Sequence, residues 1–264
     1  MNIFNGGIAL NNSIFERVKD HAAGDPIMAN RYFRFKQFTM RQEHASFGVT
    51  TDSVLLGAWA DIESAGTILD IGTGTGLLAL MAAQRSRARI VAIEPDRESF
   101  LQAGLNFTAS PWKERIILLN TSVQNFYPES GSGFDAIISN PPYFIDSLLN
   151  PDANKARARH TITLSQGDLL DAVVRLLNPG GSLHLVLPVT EAEDFLSLAF
   201  DYGLFCSRRM LVRPTPGQQL SRVLMTLGRE NGTCEEEEMV IEKGGRHVYS
   251  DEYVSLTKDF YLKF

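Results

Sequence analysis

Short apolar runs alternate with helix-forming stretches along most of the chain, and this alternation predicts an α/β fold. The apolar runs are rich in Ile, Leu and Val, as buried strands are. They occur at residues 67–71, 89–94, 115–119, 134–139, 182–187, 204–212 and 222–227. Helix formers occur between them at residues 77–84, 96–107, 169–177 and 191–202. The pattern therefore predicts a seven-stranded sheet whose strands are mostly joined by helices.

Strands that alternate with helices in this way form parallel, doubly wound sheets with right-handed crossovers. The last two predicted strands have no helix between them, only the Pro- and Gly-rich residues 214–217. We therefore expect a mostly parallel sheet with an antiparallel hairpin at one edge. Residues 28–264 are predicted to form one domain, in which 28–60 cap the substrate side. Residues 1–27 are interpreted as an N-terminal extension.

The composition places the chain among ordinary globular proteins, with 44% hydrophobic and 21% charged residues in 264 positions. No apolar run reaches about 18 residues, so no membrane span is predicted. The N-terminus lacks a secretory signal pattern, and neither Cys206 nor Cys234 belongs to a Cys/His cluster. We therefore expect a cytoplasmic protein without a metal or a disulfide framework, and we expect a monomer.

The net charge of −6 argues mildly against a nucleic acid partner, but the charges are unevenly distributed. Residues 30–42 contain four basic side chains and no acid, and residues 202–229 contain five arginines and no acid. Acidic residues gather instead at 235–238. A local basic stretch can bind phosphates on a protein that is acidic overall. The alternative, that the basic side chains simply lie on solvent-exposed faces of strands, explains either stretch equally well.

A glycine-rich loop follows the first predicted strand of the sheet and comprises Asp70, Gly72, Gly74 and Gly76. A dinucleotide-binding fingerprint needs Gly-x-Gly-x-x-Gly/Ala, and counting from Gly72 puts Leu77 at the third position. A count from Gly74 fits, but it starts too late after the strand. The spacing instead resembles the D/E-x-G-x-G-x-G motif of S-adenosylmethionine-dependent methyltransferases.

That resemblance implies that Asp70 pairs with the cofactor ammonium, directly or through water. Glu94 ends the second strand, where an acid suits the two ribose hydroxyls of a nucleoside. The alternative for residues 94–96 is a loop followed by a helix cap, which Asp96 alone would supply.

The tetrapeptide Asn140-Pro141-Pro142-Tyr143 follows the fourth predicted strand. Two successive prolines have no N–H group and fix φ, so the backbone there is rigid and rich in carbonyl groups. The Asn140 oxygen and the Pro141 carbonyl can each accept one hydrogen of a planar amine, Pro142 lies beside the substrate, and Tyr143 can stack on it. These residues predict catalysis by positioning an –NH2 group. The alternative is an ordinary turn at the end of a strand.

A glycine motif followed by Asn-Pro-Pro-Tyr resembles the Rossmann-like amino-methyltransferases. Five further segments, covering residues 35–38, 49–59, 110–112, 249–253 and 260–261, look like the bacterial family that methylates the exocyclic amine of the adenine beside the anticodon of a valine tRNA. The resemblance covers roughly residues 32–264. It implies S-adenosylmethionine as cofactor and tRNA as partner.

The same resemblance implies further site residues. Thr50 and Thr51 would pack over the methionine end of the cofactor, and Ser122 would touch the cofactor adenine, where the family commonly has an acid. Arg159 and Lys36 are candidates for contact with the substrate.

Three other functions remain open. The same tetrapeptide serves methylation of glutamine side chains in release factors, but those enzymes usually carry a helical N-terminal domain, and fewer than 70 residues precede the glycine motif here. A DNA or ribosomal RNA amine is a second alternative acceptor. A non-catalytic cofactor-binding or RNA-binding module would be expected to have lost Asn140 or Tyr143, and both are present.

Overall fold

The computed structural model describes residues 32–42, 48–128, 133–142 and 164–264. The described part opens with an antiparallel hairpin of β1 (Tyr32–Arg34) and β2 (Thr39–Arg41). Phe33 on β1 packs against the core, and Met40 on β2 is fully buried in it. The hairpin is therefore attached to the main body of the protein by its apolar side. The predicted extension at 1–27 lies outside the described residues.

The remaining elements follow in an order close to the predicted one. They are α1 (Thr51–Trp59), β3 (Thr67–Ile71), α2 (Leu77–Arg85), β4 (Arg89–Ile93), α3 (Arg97–Ala109), β5 (Ile116–Leu119), β6 (Phe134–Ser139), α4 (Gln166–Leu176), β7 (Leu177–Pro188), α5 (Val189–Asp201), β8 (Phe205–Arg213), β9 (Arg222–Gly228), β10 (Glu235–Val240) and α6 (Asp251–Thr257).

The large sheet has the strand order β10-β8-β9-β7-β6-β3-β4-β5. The strands from β7 to β5 pair in parallel, and β9 pairs antiparallel with both β7 and β8. The mostly parallel sheet and the antiparallel pairing of the last two predicted strands are thus confirmed. From β3 the chain first builds outward through β4 and β5 and then returns to the other side with β6. The position between β3 and β6 is consequently a topological switch point, where open α/β sheets bind their ligands.

Strand β10 is an eighth strand that the hydrophobic pattern did not predict. It contains the acidic run 235–238 and pairs in parallel with β8 at the sheet edge. Three arginines of β8 form ion pairs with it: Arg208–Glu237 at 3.3 Å, Arg209–Glu236 at 2.5 Å and Arg213–Glu238 at 2.8 Å. Glutamate is a poor strand former on its own, but opposite charges on neighbouring strands stabilise their pairing. Charge complementarity with β8 therefore accompanies the placement of this edge strand, which also buries Met239 in the core.

Helices cover both faces of the sheet and complete two apolar layers. Helices α1, α2, α3 and α6 pack on one face, and α4 and α5 pack on the other. Successive strand residues alternate between the layers, as Ile68 and Leu69 of β3 do. The carboxyl edge of the sheet is left to the loops that carry the predicted motifs. In the described ranges, no helix combines the length and the apolar character needed to cross a membrane.

Candidate active site

The two predicted motifs lie side by side at the switch point. The glycine loop follows β3 and the Asn-Pro-Pro segment follows β6, and these strands are neighbours in the sheet. Ser139, the last residue of β6, is fully buried, and its hydroxyl donates to the carbonyl oxygen of Ile71 at 3.0 Å. Gly72 and Asn140 come directly after this pair. One buried hydrogen bond thus ties the starting points of both loops together.

The three loop glycines adopt left-handed backbone conformations, with φ of 69° at Gly72, 56° at Gly74 and 92° at Gly76. A Cβ atom added at Gly72 or Gly74 would enter open space, whereas one at Gly76 would overlap the ring of buried Phe107. The first two glycines therefore let the backbone turn beside an open region. Gly76 additionally allows helix α3 to pack closely against the loop.

Asp70 is fully buried beneath this loop. Its Oδ2 accepts hydrogen bonds from the Thr73 hydroxyl at 2.5 Å and from the Ala79 N–H at 3.1 Å, and no described residue is a partner for its Oδ1. Burial raises the pKa of Asp70 to about 7; the two hydrogen bonds oppose the rise and the nearby Glu94 adds to it. A buried carboxylate oxygen without a partner suits a cationic ligand group.

Glu94 helps to shape the same loop. It is only 7% exposed, its Oε2 accepts from the Gly74 N–H at 2.8 Å, and its Oε1 accepts from the Asp96 N–H at 2.9 Å. Asp96 caps helix α3 by accepting from the Ser99 N–H, which is the helix cap that the alternative interpretation of residues 94–96 expected. The structure thus assigns Glu94 a role in holding the loop, and its contact with a ribose stays a prediction.

Ser122 follows β5 and begins a short 3-10 turn. Its hydroxyl is buried, and no described residue forms a hydrogen bond with it. Its side chain and Asp70 therefore leave two buried polar atoms unsatisfied, at two of the positions predicted to contact the cofactor. Groups of this kind are usually paired in a complete structure, so both atoms fit polar groups of a bound ligand.

Asn140 is half-buried, and its Nδ2 donates to the hydroxyl of Ser53 at 2.8 Å. Ser53 lies in the first turn of α1, where Thr50 is the N-cap and accepts from the Ser53 N–H at 3.2 Å. Pro141 is buried and Pro142 is exposed. Sequence reasoning did not find Ser53; the only local signal was its place three residues after a threonine that begins a helix.

The other predicted residues are placed as follows. Thr51 is exposed at the start of α1. Lys36 donates through Nζ to the carbonyl oxygens of Lys258 at 2.6 Å and Phe264 at 2.8 Å, so its ammonium is engaged with the end of the chain. Its predicted contact with substrate is untested. Tyr143 and Arg159 lie outside the described residues.

Sequence comparison identifies the class of this site. The family model of the methyltransferase small domain matches residues 50–201, a range that contains both motifs. The protein named tRNA1(Val) (adenine(37)-N6)-methyltransferase from Bacteroides fragilis is 44% identical over 237 residues, which cover 89% of this chain and 100% of that protein. The protein of the same name from Phocaeicola vulgatus is 46% identical over 235 residues, 89% of this chain and 99% of that protein. The chain belongs to this family of methyltransferases.

Solved structures agree on the fold of this methyltransferase. A protein described as a predicted O-methyltransferase from Agrobacterium tumefaciens has a TM-score of 0.59 at 20% identity, covering 79% of this chain and 96% of its own. The methyltransferase subunit of a type I restriction-modification system from Streptococcus thermophilus has a TM-score of 0.55 at 18% identity, covering 81% of this chain and 52% of its own. The Rossmann-like methyltransferase fold is confirmed, and family membership implies S-adenosylmethionine as methyl donor.

Alanine substitutions at Gly76 and Gly74 form a matched pair. Both residues need a left-handed backbone, so each variant loses about 1 kcal/mol of unfolding free energy. Only Gly76→Ala also collides with Phe107, and we expect a total loss of about 2–4 kcal/mol there. Urea unfolding of the two variants measures the difference. Equal losses would show that Phe107 moves aside and that close packing at Gly76 is not required.

Proposed function

We propose that this methyltransferase transfers a methyl group from S-adenosylmethionine to the exocyclic amine of the adenine beside the anticodon of a valine tRNA. The proposal is carried by one observation: the amine-accepting segment that starts at Asn140 lies next to the glycine loop and its unsatisfied Asp70 oxygen. The names of relatives that are 44–46% identical over nearly their whole length support the choice of acceptor.

The residues at the glycine loop fit the cofactor by their chemistry. S-adenosylmethionine supplies an electrophilic sulfonium methyl group when it is bound. Asp70 would pair with the ammonium through Oδ1, and the open backbone at Gly72 and Gly74 would allow a close approach. Glu94 would face the ribose, and the Ser122 hydroxyl, which bonds to no described residue, would face the adenine. Thr50 and Thr51 begin the helix whose first turn contacts Asn140.

Asn140 and Pro141 act on the acceptor by orientation. The lone pair of an adenine amine is delocalised into the ring, which makes the nitrogen a poor nucleophile. Asn140 Oδ1 and the Pro141 carbonyl each accept one amine hydrogen, which favours a more tetrahedral nitrogen and aims its lone pair at the methyl carbon. The methylated nitrogen would then release its extra proton to water, so no strong base is needed. Exposed Pro142 and the predicted stacking of Tyr143 would hold an adenine that has been flipped out of its loop.

Cofactor affinity is expected to depend on pH through Asp70. Its raised pKa of about 7 means that the carboxyl is mostly neutral below pH 7 and ionised above it. Because only the carboxylate attracts an ammonium, the Kd for S-adenosylmethionine should fall about tenfold per pH unit as pH rises toward 7 and then level off. Calorimetry between about pH 5.5 and pH 7.5 measures this. Asp70→Asn should bind weakly and independently of pH; the same pH dependence in that variant would contradict the pairing.

Asn140→Ala should lower methyl transfer by about 100-fold or more while the Kd for S-adenosylmethionine stays unchanged, because the proposed role of the amide is to hold the acceptor and not the cofactor. The assay uses labelled S-adenosylmethionine with a valine tRNA transcript, followed by nucleoside mass spectrometry for N6-methyladenosine. Total bacterial DNA and total protein serve as competing acceptors. Wild-type labelling of protein or DNA but not tRNA would contradict the proposed substrate, and undiminished activity of the variant would contradict the role of Asn140.

A further inference from the structure

The structure distinguishes the two basic stretches that the sequence could not separate. In the second stretch, every arginine has a partner within the protein. These partners are Glu237 for Arg208, Glu236 and Glu193 for Arg209, Glu238 for Arg213, Asp52 for Arg222 and the Val174 carbonyl for Arg229. Their charge is largely neutralised by acids that arrive from other elements. This stretch consequently offers little attraction to phosphates.

The hairpin of β1 and β2 keeps its positive charge. Its register pairs Tyr32 with Arg41 and Arg34 with Thr39, which places these four side chains on one exposed face. In the part of the chain that the structure describes, no carboxylate pairs with Arg34 or Arg41. The Arg41 guanidinium lies 5.7 Å from the centroid of the Tyr32 ring, and Tyr32 is 46% exposed. Two arginines and a flat aromatic surface are thus available on the same face.

This face is concave. It borders an open cleft of about 610 Å³ that Gln37 and Ala109 also line. Arginine forks match phosphate oxygens in geometry and charge, and an exposed tyrosine can stack on an unpaired base. The combination of cleft, guanidinium groups and aromatic ring is the chemistry of a site for single-stranded RNA.

One buried side chain connects this face to the cofactor loop. Asn106 of α3 accepts from the Arg41 N–H at 2.8 Å and donates through Nδ2 to the carbonyl oxygens of Arg41 at 3.0 Å and Thr75 at 2.8 Å. It is 1% exposed. A single side chain, that of Asn106, therefore links strand β2 to the glycine loop. An RNA strand on the hairpin would lie next to the cofactor site.

We propose that the hairpin face of Tyr32, Arg34 and Arg41 binds the substrate RNA, with the arginines on phosphates and Tyr32 stacked on an unpaired base. This inference rests on the proposed function, because it takes tRNA as the methyl acceptor. It assigns RNA affinity to a face separate from the amine-holding segment at Asn140. The overall negative charge of the protein does not oppose RNA binding here, because salt screens the repulsion from charges more than about 10 Å away.

Replacing both hairpin arginines tests the assignment. Arg34→Gln with Arg41→Gln should raise the Kd for a valine tRNA transcript about tenfold or more in fluorescence anisotropy. The slope of log Kd against log salt should decrease by about 1.4–1.8, as expected for two lost phosphate contacts. Saturating kcat and the Kd for S-adenosylmethionine should stay near wild-type values. Tyr32→Ala should weaken RNA binding further, whereas Tyr32→Phe should not.

The matched control is Arg209→Gln with Arg213→Gln, which removes the same charge from the paired stretch and should leave RNA affinity nearly unchanged. An unaltered RNA affinity in the hairpin variant, or an equal loss in the control, would overturn the assignment. Failure of the proposed function is distinguishable from either result, because the wild-type protein would then neither bind nor methylate the transcript.

Ser53 makes an independent contact with the amine-holding segment. Its hydroxyl accepts from Asn140 Nδ2 at 2.8 Å and from the Thr50 hydroxyl at 3.1 Å. The first turn of α1 is itself held in place, since Asp52 forms an ion pair with Arg222 of β9 at 2.7 Å. The contact with Ser53 directs the –NH2 end of the amide toward the helix. It leaves Oδ1 as the end that can accept an amine hydrogen.

We infer that Ser53 is a positioning residue that sets the orientation of the Asn140 amide; this also rests on the proposed function. Ser53→Ala removes the hydroxyl but keeps the N-cap, because Thr50 bonds the backbone N–H. We expect kcat to fall about 10–100-fold while the KM for tRNA and the Kd for S-adenosylmethionine stay near wild type. Ser53→Thr retains the hydroxyl and should recover most of the lost kcat.

Ser197→Ala is the matched control, since this serine is exposed on helix α5, and it should leave all three constants unchanged. Unchanged kcat in Ser53→Ala, or a loss that Ser53→Thr does not recover, would overturn the inference. A rise in KM without a fall in kcat would also overturn it, because it would place Ser53 in substrate binding. An inactive wild-type protein on tRNA would instead refute the proposed function.

Discussion

The parallel pairing of β3 with β6 is the constraint on which the site depends. It aligns Asp70 with Ile138 and brings together two loops that are far apart in the sequence. A shift of the strand pairing by one residue would turn every side chain of the strand to the opposite face of the sheet. It would also move the two motifs apart. The buried bond from Ser139 to the Ile71 carbonyl reinforces the register at the strand ends. The packed layers on both faces of the sheet make this arrangement rigid.

Rigidity at the switch point allows the protein to hold groups that are unfavourable in isolation. Asp70 is buried with no cationic partner among the described residues, and burial raises its pKa to about 7. The Ser122 hydroxyl is buried without a described partner as well. The three loop glycines, Gly72, Gly74 and Gly76, adopt left-handed conformations. Left-handed glycines and two buried polar atoms without a described partner thus occur together at the positions predicted to contact the cofactor.

The net charge of the protein differs in sign from the charge of its β1–β2 hairpin. The net charge is −6, and the acidic strand β10 uses several of its carboxylates to neutralise arginines of β8. The hairpin of β1 and β2 has no such neighbour among the described residues. The outcome depends on which strands are adjacent, because an ion pair needs its partners within about 4 Å. Counting charges along the chain cannot supply this information.

Local constraints are what the sequence by itself determined. Alternating apolar runs predicted the strands from β3 to β9. The glycine spacing disfavoured a dinucleotide loop, and the two prolines after β6 predicted a rigid, carbonyl-rich segment. Each of these inferences follows from backbone geometry within a few residues. The tertiary structure decided the rest: strand β10, the engaged ammonium of Lys36, the contact of Ser53 with Asn140 and the link through Asn106. Each of these joins residues that are distant in the chain, by 87 positions for Ser53 and Asn140. Such contacts depend on strand order and register, which only the folded protein specifies.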